Sequence, residues 1–399
     1  MTAKRRSVAP HLRCLRWCGY CQLGADSPAV ARLVHKAYCA LVLTATSAYL
    51  LQQIAYAYQV ARILLTKLAR VMFLLLCHVT SLLKQATFYA RAERVDAIIA
   101  GLADPAYNLP GREQSATLRE TARSSALLQL VYSGTAVITC TLWISFPIMY
   151  RLRGLRVEFP FWIHFDVNRT IPGFVAVLAY SYYVTTLVGI ANTTMDAFMG
   201  TILFQCQSQL KILRMNLETL PERAYEAAGQ RGRQYETALM KLFVESLEHY
   251  SKINDTARLL QDTFGTAILV QFAISGWILC MAAYKLVSLN ILSVEFASMV
   301  LFIICILTEL FLYCYYGNEV TVESQRLTES LYAMRWLATP VRFRRGLVLT
   351  MERAKRPLRP VAGRIVPLSL DTFITVRIAL PLSSLYLSAA TFSTLLFRL

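Results

Sequence analysis

Charge is scarce in this chain. Of 399 residues, 16% are charged, against about 25% in an ordinary soluble domain. Hydrophobic residues make up 56%, and the mean hydropathy is +0.44. This excludes a conventional soluble domain and leaves room for about seven apolar spans of roughly 20 residues each. Met1 to Arg16 is basic and has no apolar core long enough for a cleavable signal peptide. An uncleaved first span is therefore expected to direct insertion. Catalytic patterns are missing too. His11, His35, His78, His164 and His249 form no H-E-x-x-H or paired metal spacing. There is no P-loop, no G-x-G-x-x-G and no nucleophile elbow. No enzyme activity and no cofactor are expected.

Cysteine is present but not in a site pattern. Ten cysteines are scattered, mostly within apolar segments, where packed thiols are the default. His11, Cys14, Cys18 and Cys21 form a local group with one C-x-x-C. A second C-x-x-C is missing and the spacing is not that of a zinc finger, so the group reads as reduced thiols and no metal is expected. Internal repeats and low-complexity tracts are absent as well.

What is present is a series of apolar segments separated by basic ones. Net charge is +17, without a groove-reading or stacking motif for nucleic acid; basic loops facing an anionic leaflet account for it. Spans are expected at 37–58, 71–90, 126–149, 174–199, 264–287, 294–316 and 366–390, giving an all-α, seven-transmembrane fold. The region 1–36 has little to fix it in place. Lys84, past the middle of the second span, is expected to snorkel to the inner surface. His78, alone within that span, reads as a hydrogen-bonded packing residue. Asp and Glu concentrate in the segments expected to be cytoplasmic. Residues 200–262 carry two apolar stripes, Leu203, Leu210, Leu213, Leu217 and Leu239, Leu242, Phe243, Leu247, Tyr250, Ile253. They read as spans four and five continuing as amphipathic helices, turning between Pro221 and Gly232.

Counting Lys and Arg orients the chain. With the N-terminus cytoplasmic, the inside segments 1–36, 91–125, 200–262 and 317–365 carry 30 of the 41 basic residues and the outside segments nine, as the positive-inside rule requires. The sequon Asn168-Arg169-Thr170 then falls outside, where Asn168 is a candidate glycosylation site. A G-protein-coupled receptor fits seven spans but little else. The third span does not end in Asp-Arg-Tyr, the seventh lacks Asn-Pro-x-x-Tyr, and the loop 151–173 has no cysteine to bridge to span three. A small-molecule transporter is the other alternative, but no pair of spans is broken in matching fashion.

The last third carries a more specific signal. Tyr313 to Leu331 contains Gly317-Asn318-Glu319 and the pairs Glu323-Ser324 and Glu329-Ser330. Arg342 to Phe373 contains Leu349-Thr350, a basic stretch and Pro367-Leu368-Ser369-Leu370; Glu248-His249-Tyr250 leads through Ile253 and Leu260 to Phe264. In order and spacing these resemble the insect odorant receptors. The resemblance implies a ligand-tuning subunit of an odorant-gated, non-selective cation channel in the plasma membrane. Such a subunit is joined to a shared odorant co-receptor as a hetero-oligomer. It also implies a pore lined by the seventh span, and a cytoplasmic anchor domain built from helix extensions and 317–365. A small volatile odorant is expected in the outer half of the spans, near Met72, Phe73 and Leu76; Ala136, Thr139, Trp143 and Phe146; Tyr180, Tyr183 and Leu187; Phe296, Met299 and Ile303.

One departure stands out. After Val376 the chain reads Arg377-Ile378-Ala379-Leu380-Pro381, and both Arg and Pro are costly within a span. The segment 366–399 is thus atypical of the family beyond residue 376, and an intron read-through from Arg377 onward is expected. Sequencing the spliced transcript is expected to show a different continuation; a message encoding 377–399 unchanged overturns this reading.

Overall fold

The computed structural model describes residues 5–23, 27–61, 65–104, 107, 112–229, 232–287, 289–291 and 293–375. Along them run α1 (Arg5–Trp17), α2 (Ala29–Ala61), α3 (Leu65–Ala90), α4 (Ala92–Leu102) and α5 (Arg112–Leu152). Then come α6 (Ile171–Glu218), α7 (Leu220–Ala228), α8 (Arg233–Val287), α9 (Val294–Ala333) and α10 (Val341–Ala354). A two-stranded hairpin, β1 (Val361–Ala362) and β2 (Val366–Pro367), follows. Among the described residues, six helices, α2, α3, α5, α6, α8 and α9, are long and apolar enough to cross a membrane, and they contain the first six expected spans. The seventh, 366–390, lies mostly outside the described residues: a helix starts at 370, and the description ends at 375.

Helices α6, α8 and α9, like α5 with its 41 residues, far exceed a bilayer. At 1.5 Å per residue, the 48 residues of α6, 55 of α8 and 40 of α9 reach about 72, 82 and 60 Å, against roughly 30 Å of hydrocarbon. All three therefore project well beyond the apolar layer. In α6 and α8 the projecting parts carry the two stripes foreseen from the sequence; Leu210, Leu213, Leu239, Phe243 and Ile253 are buried there with Leu327, Leu331, Phe343 and Leu347 of α9 and α10. Between α6 and α8 the chain turns through α7, which ends on Gly229 in the left-handed region (φ 71°).

The helix of the sixth expected span continues past residue 316. α9 runs unbroken through Gly317 to Ala333. Gly317 is required by the close approach of the following chain: a Cβ there would lie 2.5 Å from Leu368 Cβ and 2.6 Å from its carbonyl oxygen. Residues 361–367, read from the sequence as part of a basic segment, form the hairpin, with Val361 opposite Pro367. Its turn places Gly363 and Arg364 at φ 56° and 63°, the positive values a tight hairpin demands. The hairpin lies on α8, where Val361 N donates to Gln261 Oε1 at 3.4 Å.

Helix α6 is the centre of the bundle, in contact with α5, α9, α8, α1, α3 and α2. The N-terminal region, expected to be loosely held, is instead anchored against it. Ser7, Val8, His11 and Leu15 are fully buried. Gln205 Nε2 donates to Ser7 Oγ at 2.8 Å, Thr194 Oγ1 donates to Cys14 Sγ at 3.4 Å, and His11 Nε2 lies 3.3 Å from Thr201 Oγ1. The basic composition hid an apolar stripe that α1 lays on α5 and α6. His11 and Cys14 are thereby used in packing, and among the described residues no three His, Cys, Asp or Glu side chains converge as a metal site.

Lys84 does not snorkel. It is buried among three helices, its Nζ 2.5 Å from Asp196 Oδ1 on α6 and 2.5 Å from Glu309 Oε1 on α9. It also donates to Asn192 Oδ1 at 3.1 Å. Tyr313 OH donates to Asp196 Oδ1 at 2.5 Å, and Asn192 Nδ2 to Asp196 Oδ2 at 3.3 Å. Asn192 with Asp196, and Glu309 with Tyr313, stand four residues apart, so each pair shares one helix face. The side chain takes this course because two acidic partners in reach satisfy the ammonium inside the bundle. Asp196 and Glu309 are acidic residues within apolar segments, and both are used here.

Removing one partner of a buried ion pair costs about 3–5 kcal/mol, because the others are left uncompensated. Lys84→Met is therefore expected to lower the thermal midpoint of the purified protein and its surface delivery sharply. Adding Asp196→Asn and Glu309→Gln to Lys84→Met is expected to recover much of both. A triple variant no better than the single one would contradict the charge argument.

Burial lowers His11 from its usual value near 6.5 to about 4, against the opposing effect of the Ser7 backbone. Between those values the undocked helix binds a proton that the docked one does not, so docking weakens as pH falls through the window. Hydrogen exchange in peptides covering α1 is expected to speed up selectively between about pH 7 and about pH 5, and His11→Gln to remove that sensitivity.

Candidate ligand-binding site

At the end of the bundle where α5 runs into α6, the connection folds back as a lid. Val157, Phe159, Phe161 and Val167 are buried with Tyr49 of α2 and Phe174 of α6. Trp162 N donates to Gln52 O at 3.0 Å. Asn168 closes the loop on itself: Val157 N donates to its Oδ1 at 3.0 Å, and its Nδ2 donates to Val157 O at 3.2 Å. The amide nitrogen that would carry a glycan is thus already engaged.

Beneath the lid is a chamber of about 430 Å³, walled by Phe73 and Leu74 of α3, Trp143 and Phe146 of α5, and Ser181 and Thr185 of α6, with Tyr49 and Phe159 among its further lining. A volume of this size suits a small molecule. Lys285 and Glu295, 3.1 Å apart, join the ends of α8 and α9 at its edge, and the Lys285 ammonium lies 5.7 Å from the Phe73 ring centroid. A smaller chamber of about 90 Å³ adjoins it, sharing Leu74, Cys140, Trp143 and Thr185. Where they meet, the rings of Phe73, Trp143 and Phe302 stand 5.3–5.9 Å apart. Glu309 and Asn192, members of the buried charge cluster, line the smaller chamber.

The residues proposed from sequence divide between these walls and elsewhere. Phe73, Trp143 and Phe146 line the larger chamber; Ala136, Thr139 and Trp143 line the smaller. Leu76 and Ile303 pack half-buried against the main core, and Met299 is buried within it. Tyr180 belongs to the aromatic group under the lid, 5.7 Å from Tyr49, and donates to Gln52 Oε1 at 3.3 Å. Tyr183 is 55% exposed on the outer face of α6. The chamber is faced instead by Leu178, Ser181, Tyr182 and Thr185, one step around the same helix. Because this part of α6 is apolar all round, periodicity carries no signal for which face is inward. Tyr49 and Tyr56 of α2 also line the larger chamber and were not among the residues expected from the sequence.

Known proteins share this fold. The family model described as the seven-transmembrane odorant receptor matches residues 64–379. Odorant receptor 94a of Drosophila melanogaster is 27% identical over 228 residues, 56% of this chain and 55% of that protein. Odorant receptor 33b of the same species is 24% identical over 267 residues, 62% of this chain and 66% of that protein. The chain thus spans between half and two thirds of the length of these relatives. Odorant receptor Or1 of Anopheles gambiae is 21% identical over 399 residues, 94% of this chain and 93% of that one. The solved olfactory receptor OR5 of Machilis hrabei superposes with a TM-score of 0.80 at 16% identity, covering 96% of this chain and 97% of that one. Its structure in complex with eugenol gives 0.81 at 15% identity, covering 97% and 98%. The fold is that all-α, multi-span membrane architecture. With a family model matched over most of its length, this chain belongs to the insect odorant receptor family as a multi-pass protein of the plasma membrane.

Proposed function

We propose that this chain is the ligand-tuning subunit of an odorant-gated, non-selective cation channel. It is assembled with the shared odorant co-receptor in the lipid bilayer, with its N-terminus cytoplasmic. The observation that carries the reading is the chamber beneath the lid, walled by Phe73, Trp143 and Phe146 and continuous in its lining with Ala136 and Thr139. Its aromatic walls and few hydroxyls match a small volatile molecule. The long projections of α6, α8 and α9, bound together by their apolar stripes, support the reading of an anchor that holds subunits together. Ligand binding opens such a channel only to the extent that it favours the open state. The lid, α3, α5, α6 and the first turn of α9 all touch the chamber, so a ligand there acts on several helices at once.

Co-expression with the co-receptor, in cells otherwise free of odorant receptors, tests the proposal. A rapid cation current on application of an odour panel, unaffected by blocking G proteins, is expected. A current requiring guanine nucleotide, or ligand uptake without current, would overturn it. Trp143→Ala, which removes a wall common to both chambers, is expected to raise the half-maximal odorant concentration by roughly 10-fold or more. Tyr183→Ala, on the exposed face, is expected to leave it nearly unchanged; equal effects would place the ligand elsewhere.

A further inference from the structure

The smaller chamber has walls mostly of one hydrogen-bonding sense. Three of its four hydroxyl groups direct their protons away to backbone oxygen, and the fourth, on Thr185, faces Tyr49 OH at 3.5 Å. Thr139 Oγ1 donates to Thr135 O at 2.8 Å, Thr193 Oγ1 to Gly189 O at 2.9 Å and Tyr132 OH to Cys305 O at 3.2 Å. Asn192 turns its amide nitrogen to Asp196, and Glu309 is held by Lys84. The lining that remains offers lone pairs and few protons.

His78 sharpens this. The residue is 3% exposed and lines the chamber. Its Nδ1 lies 2.8 Å from the carbonyl oxygen of Leu74. A carbonyl only accepts, so Nδ1 carries the proton, and in the neutral imidazole Nε2 is then a bare acceptor. Nε2 is buried with no hydrogen-bond partner among the described residues. Tyr49, whose ring is 5.1 Å away, does not serve it, because its hydroxyl sits with Ser181 and Thr185 at 3.4 and 3.5 Å. A buried acceptor left unpaired is unfavourable, and a donor that reaches it recovers the loss.

We infer that this chain selects ligands bearing a hydroxyl, the body of the molecule filling the larger chamber and the hydroxyl donating to His78 Nε2 in the smaller one. Ethers and esters of the same skeleton have no proton to give and meet lone pair against lone pair. A cationic amine also has protons, but burying its ammonium beneath the lid costs far more desolvation than burying a neutral hydroxyl. The inference rests on the proposed ligand chamber, yet it is read by binding and does not require that the chain conduct.

The test uses benzyl alcohol against benzyl methyl ether and benzylamine, and heptanol against its isomer methyl hexyl ether. Binding is read as thermal stabilisation of the purified full chain, and activation as current with the co-receptor. The alcohols are expected to bind about 10-fold or more tightly than the matched ethers, the scale of one buried hydrogen bond. His78→Phe keeps the ring against Tyr49 and is expected to bring the ratio near one by weakening the alcohols alone. His78→Gln, whose amide oxygen accepts at similar reach, is expected to keep part of it. A ratio near one in the unmodified chain, a ratio unchanged in His78→Phe, or benzylamine binding best would each overturn the inference. Selective stabilisation without current would leave it standing and count against the channel reading instead.

Discussion

A single ammonium inside the bundle holds three helices in register. Lys84 of α3 reaches Asp196 of α6 and Glu309 of α9 at the same distance, and Tyr313 and Asn192 complete the shell. Desolvating three ionisable groups is expensive and is tolerated only when the geometry satisfies each of them. A rotation or slide of any one helix would leave a charge without its partner. The charge cluster therefore fixes the azimuth of α3, α6 and α9, and with it which faces of these helices wall the chambers above.

The same cluster explains the shape of the site. Its members Glu309 and Asn192 form part of the lining of the smaller chamber, and the three-ring junction of Phe73, Trp143 and Phe302 lies above them. Polar ground below and aromatic walls above leave a cavity that is apolar where a ligand body rests and hydrogen-bonding where it ends. The lid closes the other side through backbone contacts and buried aromatics, with Asn168 clasping Val157.

Much of this was legible in the sequence where a long-range pattern carried it. The six spans, the helical continuation through 200–262 and the turn near Pro221 follow from apolar run length, helical periodicity and breaker residues. The family followed from ordered motifs in the last third. What escaped was azimuth and pairing. In a helix that is apolar all round, nothing local distinguishes the face of Tyr183 from that of Ser181 and Tyr182. Lys84 read alone fits snorkelling; its meaning depends on Asp196 and Glu309, 112 and 225 positions away. Three ionisable residues in three separate apolar runs was the available signal, and it pointed to a shared site. α1 was hidden for a related reason: its arginines dominate the composition while Val8, Leu12 and Leu15 provide the contact.

The seating of α1 also sets an order of events during synthesis. Ser7 meets Gln205 across 198 residues, so α1, which packs on both α5 and α6, lacks a complete binding surface until α6 has been made. Chains emerge at roughly 5–20 residues per second, which leaves α1 without its partner for about 10–40 s. During that interval its apolar stripe is open to chaperones and to the membrane surface. Only when the fourth span is in place does the N-terminus become part of the folded protein, so its docking marks that the first half of the chain has been inserted.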